Sequence, residues 1–260
     1  MPMFERMQKP FLTVETGEAY QPIRLVYQLN EKDDLVKSLE QLRCIEKKTH
    51  ENSWNWYWKE ECDDLHFESL DSYQKRPDYP LRLGTLSLRD GALHINLPSF
   101  KRACLAVPFF YKAIQPKIAH IEKADFVNKV FGLSERLPHG FAELFKEEEL
   151  EHILHDRLAE YEKVQKRCED AATPEEAMKV LADYTENESH KKLPFAERYS
   201  FESEESLDPD IIFLSFYIFL RSRELVAIRR WYGATGFTLS DAVDEAVDQV
   251  FGGMDIDIIE

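Results

Sequence analysis

Glycine is scarce in this chain, with 9 residues among 260, and several of them fall at predicted turns. The sequence contains no G-x-x-x-x-G-K-[ST] phosphate loop, no G-x-G-x-x-G fingerprint, no G-x-S-x-G nucleophile elbow and no H-E-x-x-H zinc motif. A nucleotide-cradling loop needs glycines that this chain does not offer. The common nucleotide-binding and hydrolase chemistries are therefore disfavoured.

Long apolar runs and clustered cysteines are also lacking. The longest apolar run, IIFLSFYIFL, covers only residues 211–220, whereas a membrane span needs about 20 such residues. The sequence also begins without the basic-then-apolar pattern of a secretory signal. The four cysteines, Cys44, Cys62, Cys104 and Cys168, have neither metal-knuckle nor thioredoxin spacing. We therefore expect a soluble, cytoplasmic protein with reduced thiols, no membrane contact and no cofactor.

Charge is distributed unevenly between the two halves of the chain. Residues 1–131 hold 19 Lys+Arg and 19 Asp+Glu, whereas residues 132–260 hold 14 and 30. The second half therefore carries the whole formal charge of −16. Such asymmetry is typical of two units with different surfaces, and it favours basic partners for the acidic unit. We predict an α+β domain over residues 1–131 and an acidic α-helical domain over residues 132–260.

The first half shows strand patterns separated by two helices. The segments 23–29, 43–48, 53–60, 81–88, 92–97 and 117–121 are strand candidates, and 31–42 and 100–114 are helix candidates. Asp90-Gly91 is a preferred pair for a tight hairpin turn, and Ser99 is a candidate N-cap. This order predicts an α+β fold whose sheet is rich in antiparallel pairs and has helices on one face.

The second half is dominated by helical spacing. We predict helices over residues 147–171, 174–186, 210–231 and 240–251, with Thr173 capping the second and Gly252 ending the last. The segment 187–210 is polar and acidic and is interpreted as a loop. The first of these helices carries one apolar stripe, formed by Leu150, Ile153, Leu154, Leu158, Tyr161 and Val164.

Two patterns suggest specific sites. His152, His155 and Asp156 lie on one predicted helix, and histidines three residues apart share a helix face that can hold a metal. The adjacent pair His155-Asp156 also resembles the His-Asp dyad of metal-dependent phosphohydrolases, so a metal-dependent hydrolase, with a further His and Asp from other helices, is one alternative. The other pattern is the stripe of Trp54, Trp56 and Trp58, which project to the same side of a strand. Exposed indoles stack on single-stranded nucleic acid, but burial is favoured for three of them together and the neutral first half lacks a basic excess, so nucleic-acid binding is disfavoured.

Charged clusters on the last two helices offer two more surfaces. Arg221, Arg223, Arg229 and Arg230 are expected to pair with acids of neighbouring helices, the alternative being an anion-binding pocket. The last helix aligns Asp241, Asp244, Glu245 and Asp248 on one face. Together with Glu202, Glu204 and Glu205 of the preceding acidic segment, these residues form a candidate docking surface for a basic protein. The combined pattern predicts a non-enzymatic interaction or regulatory protein that binds another protein, with its oligomeric state undetermined.

Overall fold

The computed structural model of this chain describes residues 9–49, 52–67, 79–201 and 208–251. In this part of the chain the strands are β1 (Ile23–Leu29), β2 (Ile45–Lys47), β3 (Ser53–Tyr57), β4 (Arg82–Arg89), β5 (Ala92–Leu97), β6 (Ala119–Val127) and β7 (Ala196–Ser200). The α-helices are α1 (Lys32–Gln41), α2 (Phe100–Ile114), α3 (Phe141–Leu144), α4 (Glu147–Glu169), α5 (Pro174–His190), α6 (Pro209–Trp231) and α7 (Leu239–Phe251).

All seven strands form one sheet in the order β2-β3-β4-β5-β1-β6-β7. Every neighbouring pair is antiparallel. The predicted α+β fold with an antiparallel-rich sheet is therefore confirmed. Since β1 lies between β5 and β6, and β7 pairs only with β6, the sheet joins segments that are far apart in the sequence.

The sheet has one apolar face and one polar face because side chains alternate along each strand. On the apolar face, Leu25 of β1 is opposite Ile95 of β5, and both are fully buried. This face packs against α1, α2 and α6 in the largest apolar cluster of the molecule. On the other side of the same strands, Arg24 is opposite Asn96. We call this side the polar face of the sheet.

Local sequence signals determine the β4–β5 hairpin and the start of α2. Asp90 and Gly91 have φ angles of 50° and 77°, the left-handed conformation that a two-residue turn requires and that glycine adopts readily. The Ser99 side chain accepts a hydrogen bond from the Arg102 backbone N–H at 3.2 Å. The predictions of a tight turn at this position and of an N-cap at Ser99 are both confirmed.

The interpretation of residues 187–210 as a loop was wrong at both ends and at residues 196–200, while residues 202–207 lie outside the described part of the chain. Helix α5 continues to His190, and residues 196–200 form β7 at the edge of the sheet. The strand AERYS escaped detection because two adjacent charged residues separate its alanine from its tyrosine, so its apolar signal is weak. Its charged side chains are buried by ion pairs with other elements, and the sequence of the strand alone does not reveal those partners.

The second half of the chain contributes directly to the sheet and its core. Strand β7 pairs with β6, and Phe216 and Leu220 of α6 lie in the same apolar cluster as the sheet residues. The division into domains at residue 131 stays a prediction. Among the described residues, no helix combines the length and apolarity needed to cross a membrane. The cytoplasmic location also stays a prediction.

Candidate functional site

The tryptophan stripe belongs to the core. Trp54 and Trp56 are 1% and 0% exposed, and the Trp56 ring stacks on Phe109 of α2 at a centroid distance of 5.4 Å. Trp58 is half-buried against the same cluster. Because base stacking needs an accessible ring face, the indoles at positions 54 and 56 do not form a platform for single-stranded nucleic acid.

The histidine pair lies on the exposed surface of α4. The nearest acidic contact is His152 Nε2 to Asp156 Oδ2 at 3.5 Å, one helical turn away, and both side chains are largely exposed. His155 is exposed as well. Within the described part of the chain, no three His, Cys, Asp or Glu side chains come close enough to hold a metal ion together. The metal-dependent hydrolase therefore stays a prediction without an assembled ligand set among these residues.

The four arginines of α6 point to different partners. Arg221 pairs with Glu224 at 2.6 Å, Arg223 with Glu197 of β7 at 3.0 Å, and Arg229 with Glu245 of α7 at 3.2 Å. Arg230 donates to the backbone carbonyl of Lys191 at 3.4 Å. Three of the four are thus neutralised by acids of this chain, and the four do not converge on one anion-binding pocket.

The acidic face of α7 is partly used to hold the helix itself. Asp241 accepts hydrogen bonds from the backbone and the side chain of Thr238, and Thr238 accepts one from the backbone of Asp241, which is a capping box. These bonds lower the pKa of Asp241. Glu245 is paired with Arg229. Asp244 and Asp248 are exposed and remain as docking candidates on this helix. Glu202, Glu204 and Glu205 lie outside the described residues.

Strand β7 attaches α4 to the sheet through a buried arginine. Arg198 is 6% exposed and holds Asp125 of β6 with two hydrogen bonds of 2.6 and 3.2 Å. It also donates to Glu147 at 3.0 Å and to Glu151, both on α4. Burial alone would raise the pKa of Glu147, but Arg198 and then Lys123 lower it overall. The start of α4 is therefore held over the polar face of the sheet by charge.

The next residue of β7 makes a second buried ionic cluster. The Glu197 side chain is fully buried and accepts hydrogen bonds from Arg223 of α6, from Arg157 of α4 and from Asn128. Burial alone would raise the pKa of Glu197, but Arg223 and then Arg157 lower it overall. Through residues 197 and 198, one short strand connects two helices that are distant in the sequence.

Helices α4 and α5 pack together as an antiparallel hairpin that projects from this attachment. Near the turn, the Cys168 thiol contacts the Ala177 carbonyl at 3.6 Å. At the other end, Lys191, the residue after α5, pairs with Glu160 of α4 at 2.8 Å. These contacts define the seam between the two helices.

Both helices of this hairpin expose large apolar residues. Leu158, Tyr161, Met178 and Leu181 are 62%, 57%, 66% and 45% exposed. On each helix the two residues are three positions apart and therefore share a face. We call these four residues the hairpin patch.

The hairpin patch lies on a strongly acidic support. Residues 147–190 contain 14 Asp+Glu and 5 Lys+Arg. Glu162 and Glu175 are exposed. Glu162 lies four residues after Leu158, and Glu175 lies three residues before Met178, so each shares a helix face with a residue of the hairpin patch. Sequence analysis placed Leu158 and Tyr161 on the same stripe as Leu150. The structure buries Leu150 and Val164 of this stripe and exposes Leu158 and Tyr161 between them.

Comparison of the chain with family models, with curated proteins and with solved structures gives no match. The functional argument therefore depends on the geometry of this chain alone.

Proposed function

We propose that this protein is a soluble, non-enzymatic interaction protein that binds a basic segment of another protein through its acidic C-terminal half. The observation that carries this proposal is the hairpin patch, in which four large apolar side chains are exposed on one acidic helical hairpin. A contiguous exposed apolar surface with a polar rim is typical of a protein contact. Because the residues around the patch are largely acidic, we expect the partner to be basic.

The occupant that fits this surface is an amphipathic helix with lysines and arginines on its polar side. Its apolar residues would cover the hairpin patch, as in other helix-in-groove contacts, while its basic residues would lie near Glu162 and Glu175. A second copy of this chain is a poorer occupant, because each copy has a net charge of −16 and the two acidic surfaces would repel each other.

The remaining acids of α7 fit a role in association. Asp244 and Asp248 are exposed, whereas Asp241 and Glu245 are engaged within the chain. Exposed charges at or near an interface mainly change the association rate and its dependence on salt. We therefore expect these two residues to attract a basic partner, while the hairpin patch supplies most of the affinity.

A designed peptide tests the apolar contact. The probe is a labelled helical peptide of leucine and lysine with all leucines on one face, and its control has the same composition with leucines spread around the helix. Fluorescence anisotropy gives both dissociation constants. We expect Leu158→Ser/Leu181→Ser to weaken binding of the probe about tenfold or more, since burial of each leucine is worth roughly 1.5–3 kcal/mol. Leu133→Ser is the matched control, because Leu133 is 64% exposed and lies outside the patch.

Three results would contradict the proposal. The first is equal affinity for the probe and for the control peptide, which would reduce the interaction to charge alone. The second is unchanged binding in the double serine variant. The third is concentration-dependent dimerisation in sedimentation experiments that this variant abolishes, which would identify a second copy as the occupant.

The role of the α7 charges in association has its own test. Asp244→Lys/Asp248→Lys should slow association of the basic probe peptide severalfold at about 50 mM salt and much less at about 500 mM.

A further inference from the structure

A second candidate site lies on the polar face of the sheet. It is a groove of about 1120 Å³ whose floor includes Thr85 of β4 and Asn96 of β5. These two residues are opposite each other in the strand register and are half-buried. Leu12 and Tyr20 of the N-terminal segment and Phe141 of α3 contribute to its lining. We call this cavity the sheet groove.

The groove is held open by a buried arginine of α2. Arg102 is 1% exposed and donates to the carbonyl oxygens of Arg82 and Leu83 at 3.1 and 3.3 Å. It also donates to Glu15 and Thr16 of the N-terminal segment, both at 3.2 Å. One guanidinium thus fixes the distance between this segment and β4. Because the N-terminal segment and β4 both bond to the Arg102 side chain, these hydrogen bonds hold the two sides of the groove in place.

The lining combines apolar surface with one polar group that is oriented. Leu12, Tyr20 and Phe141 supply apolar and aromatic surface, as in sites for small organic molecules. Arg24 Nε donates to Asn96 Oδ1 at 2.9 Å. This bond orients the Asn96 amide, so its Nδ2 group is the one left to donate to a ligand.

The charge of the groove favours an anion. Glu15 is the only acid among the described lining residues, and it is paired with Arg102. Arg82 is exposed at the first position of β4, and none of the described acids forms an ion pair with it. A second guanidinium, that of Arg24, lies directly beside the floor. With respect to the described residues, an acidic group would therefore find an unpaired guanidinium at Arg82.

We propose that the sheet groove binds a small organic acid whose aromatic or aliphatic body lies against Tyr20 and Phe141. Its carboxylate, sulfonate or phosphate pairs with Arg82, and Asn96 donates a hydrogen bond to the same molecule. This inference does not depend on the hairpin patch, because the two sites share no residue.

Two fluorescent dyes that differ only by an acidic group test the proposal. 8-Anilinonaphthalene-1-sulfonate carries the acidic group, and N-phenyl-1-naphthylamine is the same molecule without it. Titrations use the full chain and, in parallel, the Leu158→Ser/Leu181→Ser variant, in which dye uptake by the hairpin patch is reduced. The urea midpoint and circular dichroism of every variant are measured first, because these dyes also bind partly unfolded chains.

Four single variants form two matched pairs. Arg82→Gln should weaken binding of the sulfonate dye about tenfold, through loss of a charge-assisted bond, and should leave the neutral dye unchanged. Arg89→Gln is its control, an exposed arginine at the opposite end of β4. Thr85→Phe should fill the floor and reduce binding of both dyes. Ser87→Phe is its control, because Ser87 lies on the same face two residues further along β4 but outside the groove.

The proposal is supported if the sulfonate dye alone responds to Arg82→Gln and both dyes respond to Thr85→Phe. It is overturned if Arg82→Gln and Arg89→Gln have the same effect, because the dependence on charge would then be general. It is equally overturned if both dyes bind the Thr85→Phe variant as tightly as they bind the protein without this substitution. These tests do not involve the peptide probe, so either proposal can fail without the other.

Discussion

Glu197→Gln is the substitution that tests most directly how the helices are attached to the sheet. Glu197 is fully buried on β7, and Arg223 Nε donates to its carboxylate at 3.0 Å. Arg157 and Asn128 donate to the same carboxylate. Glutamine keeps the shape of the side chain, removes its charge and replaces one acceptor oxygen with a donor NH2 group. The change therefore removes the charge pairing between β7, α4 and α6 together with part of its hydrogen bonding.

The expected loss of stability follows from what is left behind. Arg223 is 7% exposed, so its guanidinium would stay buried without a counter-charge. Breaking a buried pair in this way costs roughly 3–5 kcal/mol, and we expect a value near the lower end because glutamine still accepts one hydrogen bond. Arg157 adds little to this loss of stability, since its side chain is 40% exposed and can turn toward water.

Urea unfolding followed by circular dichroism at neutral pH measures this loss. The control is Glu245→Gln, which breaks the pair with Arg229 where the two side chains are 31% and 51% exposed. We expect that change to cost less than about 1 kcal/mol. A loss from Glu197→Gln as small as that of the control would refute the argument that the cluster is desolvated.

The pH dependence provides a second readout. The pKa of Glu197 in the folded protein is lowered, because Arg223 and Arg157 outweigh the effect of burial. A lowered pKa stabilises the fold above the unfolded value of about 4.3, and the benefit is lost as pH falls through the folded value. The stability difference between the wild type and Glu197→Gln should therefore shrink on acidification below about pH 4.5. A difference that stays constant down to that range and below would contradict this assignment.

A double substitution separates the charge from the packing. In Glu197→Leu/Arg223→Met both buried charges are replaced by apolar side chains of similar size. Since such replacements are often neutral or stabilising, we expect this variant to regain most of the stability that Glu197→Gln loses. If it is no more stable than the single variant, the cluster contributes through hydrogen-bond geometry rather than through desolvated charge.

Three further predictions concern local features. Thr238→Ala should lower the free energy of unfolding by about 1 kcal/mol through loss of the α7 cap, and Asp241→Asn should shift the urea midpoint in the same direction. Gly84→Ala should cost roughly 1–3 kcal/mol, because its Cβ would lie 2.5 Å from a leucine of β5, whereas Gly140→Ala, with open space around it, should change stability by less than about 0.5 kcal/mol. Burial raises the pKa of Cys104 to about 12, so a thiol reagent at about pH 8 should modify this half-buried thiol far more slowly in the native protein than in urea; equal rates in the native and unfolded protein would contradict this expectation.

Sequence patterns predicted the elements whose signals are local. The strand Ile23–Leu29 with its β-forming residues, the Asp90-Gly91 turn and the caps at Ser99 and Thr173 all appear in the structure at the predicted positions. Each of these signals depends on residues within a few positions of one another. Turn conformation and helix capping are set by the backbone and by side chains one turn away.

Local patterns did not predict which charged residues are buried. Arg198 and Glu197 belong to a segment that reads as a polar loop, yet both are buried because Asp125, Arg157 and Arg223 arrive from other elements. A weak clue was available in Tyr199, which follows Glu197 at strand spacing and packs against aromatic residues of α6. Burial of an ion pair requires two partners, and one strand supplies only one of them.

The same limit applies to the candidate sites. The sequence alone determined that the acidic charge lies in the second half and that α4 and α5 are helices with apolar residues at helical spacing. Only the tertiary structure decided that Leu150 is covered while Leu158 is exposed, and that Thr85 and Asn96 form the floor of a groove. The physical reason is that periodicity assigns a residue to a face, whereas its exposure depends on which distant element packs against that face.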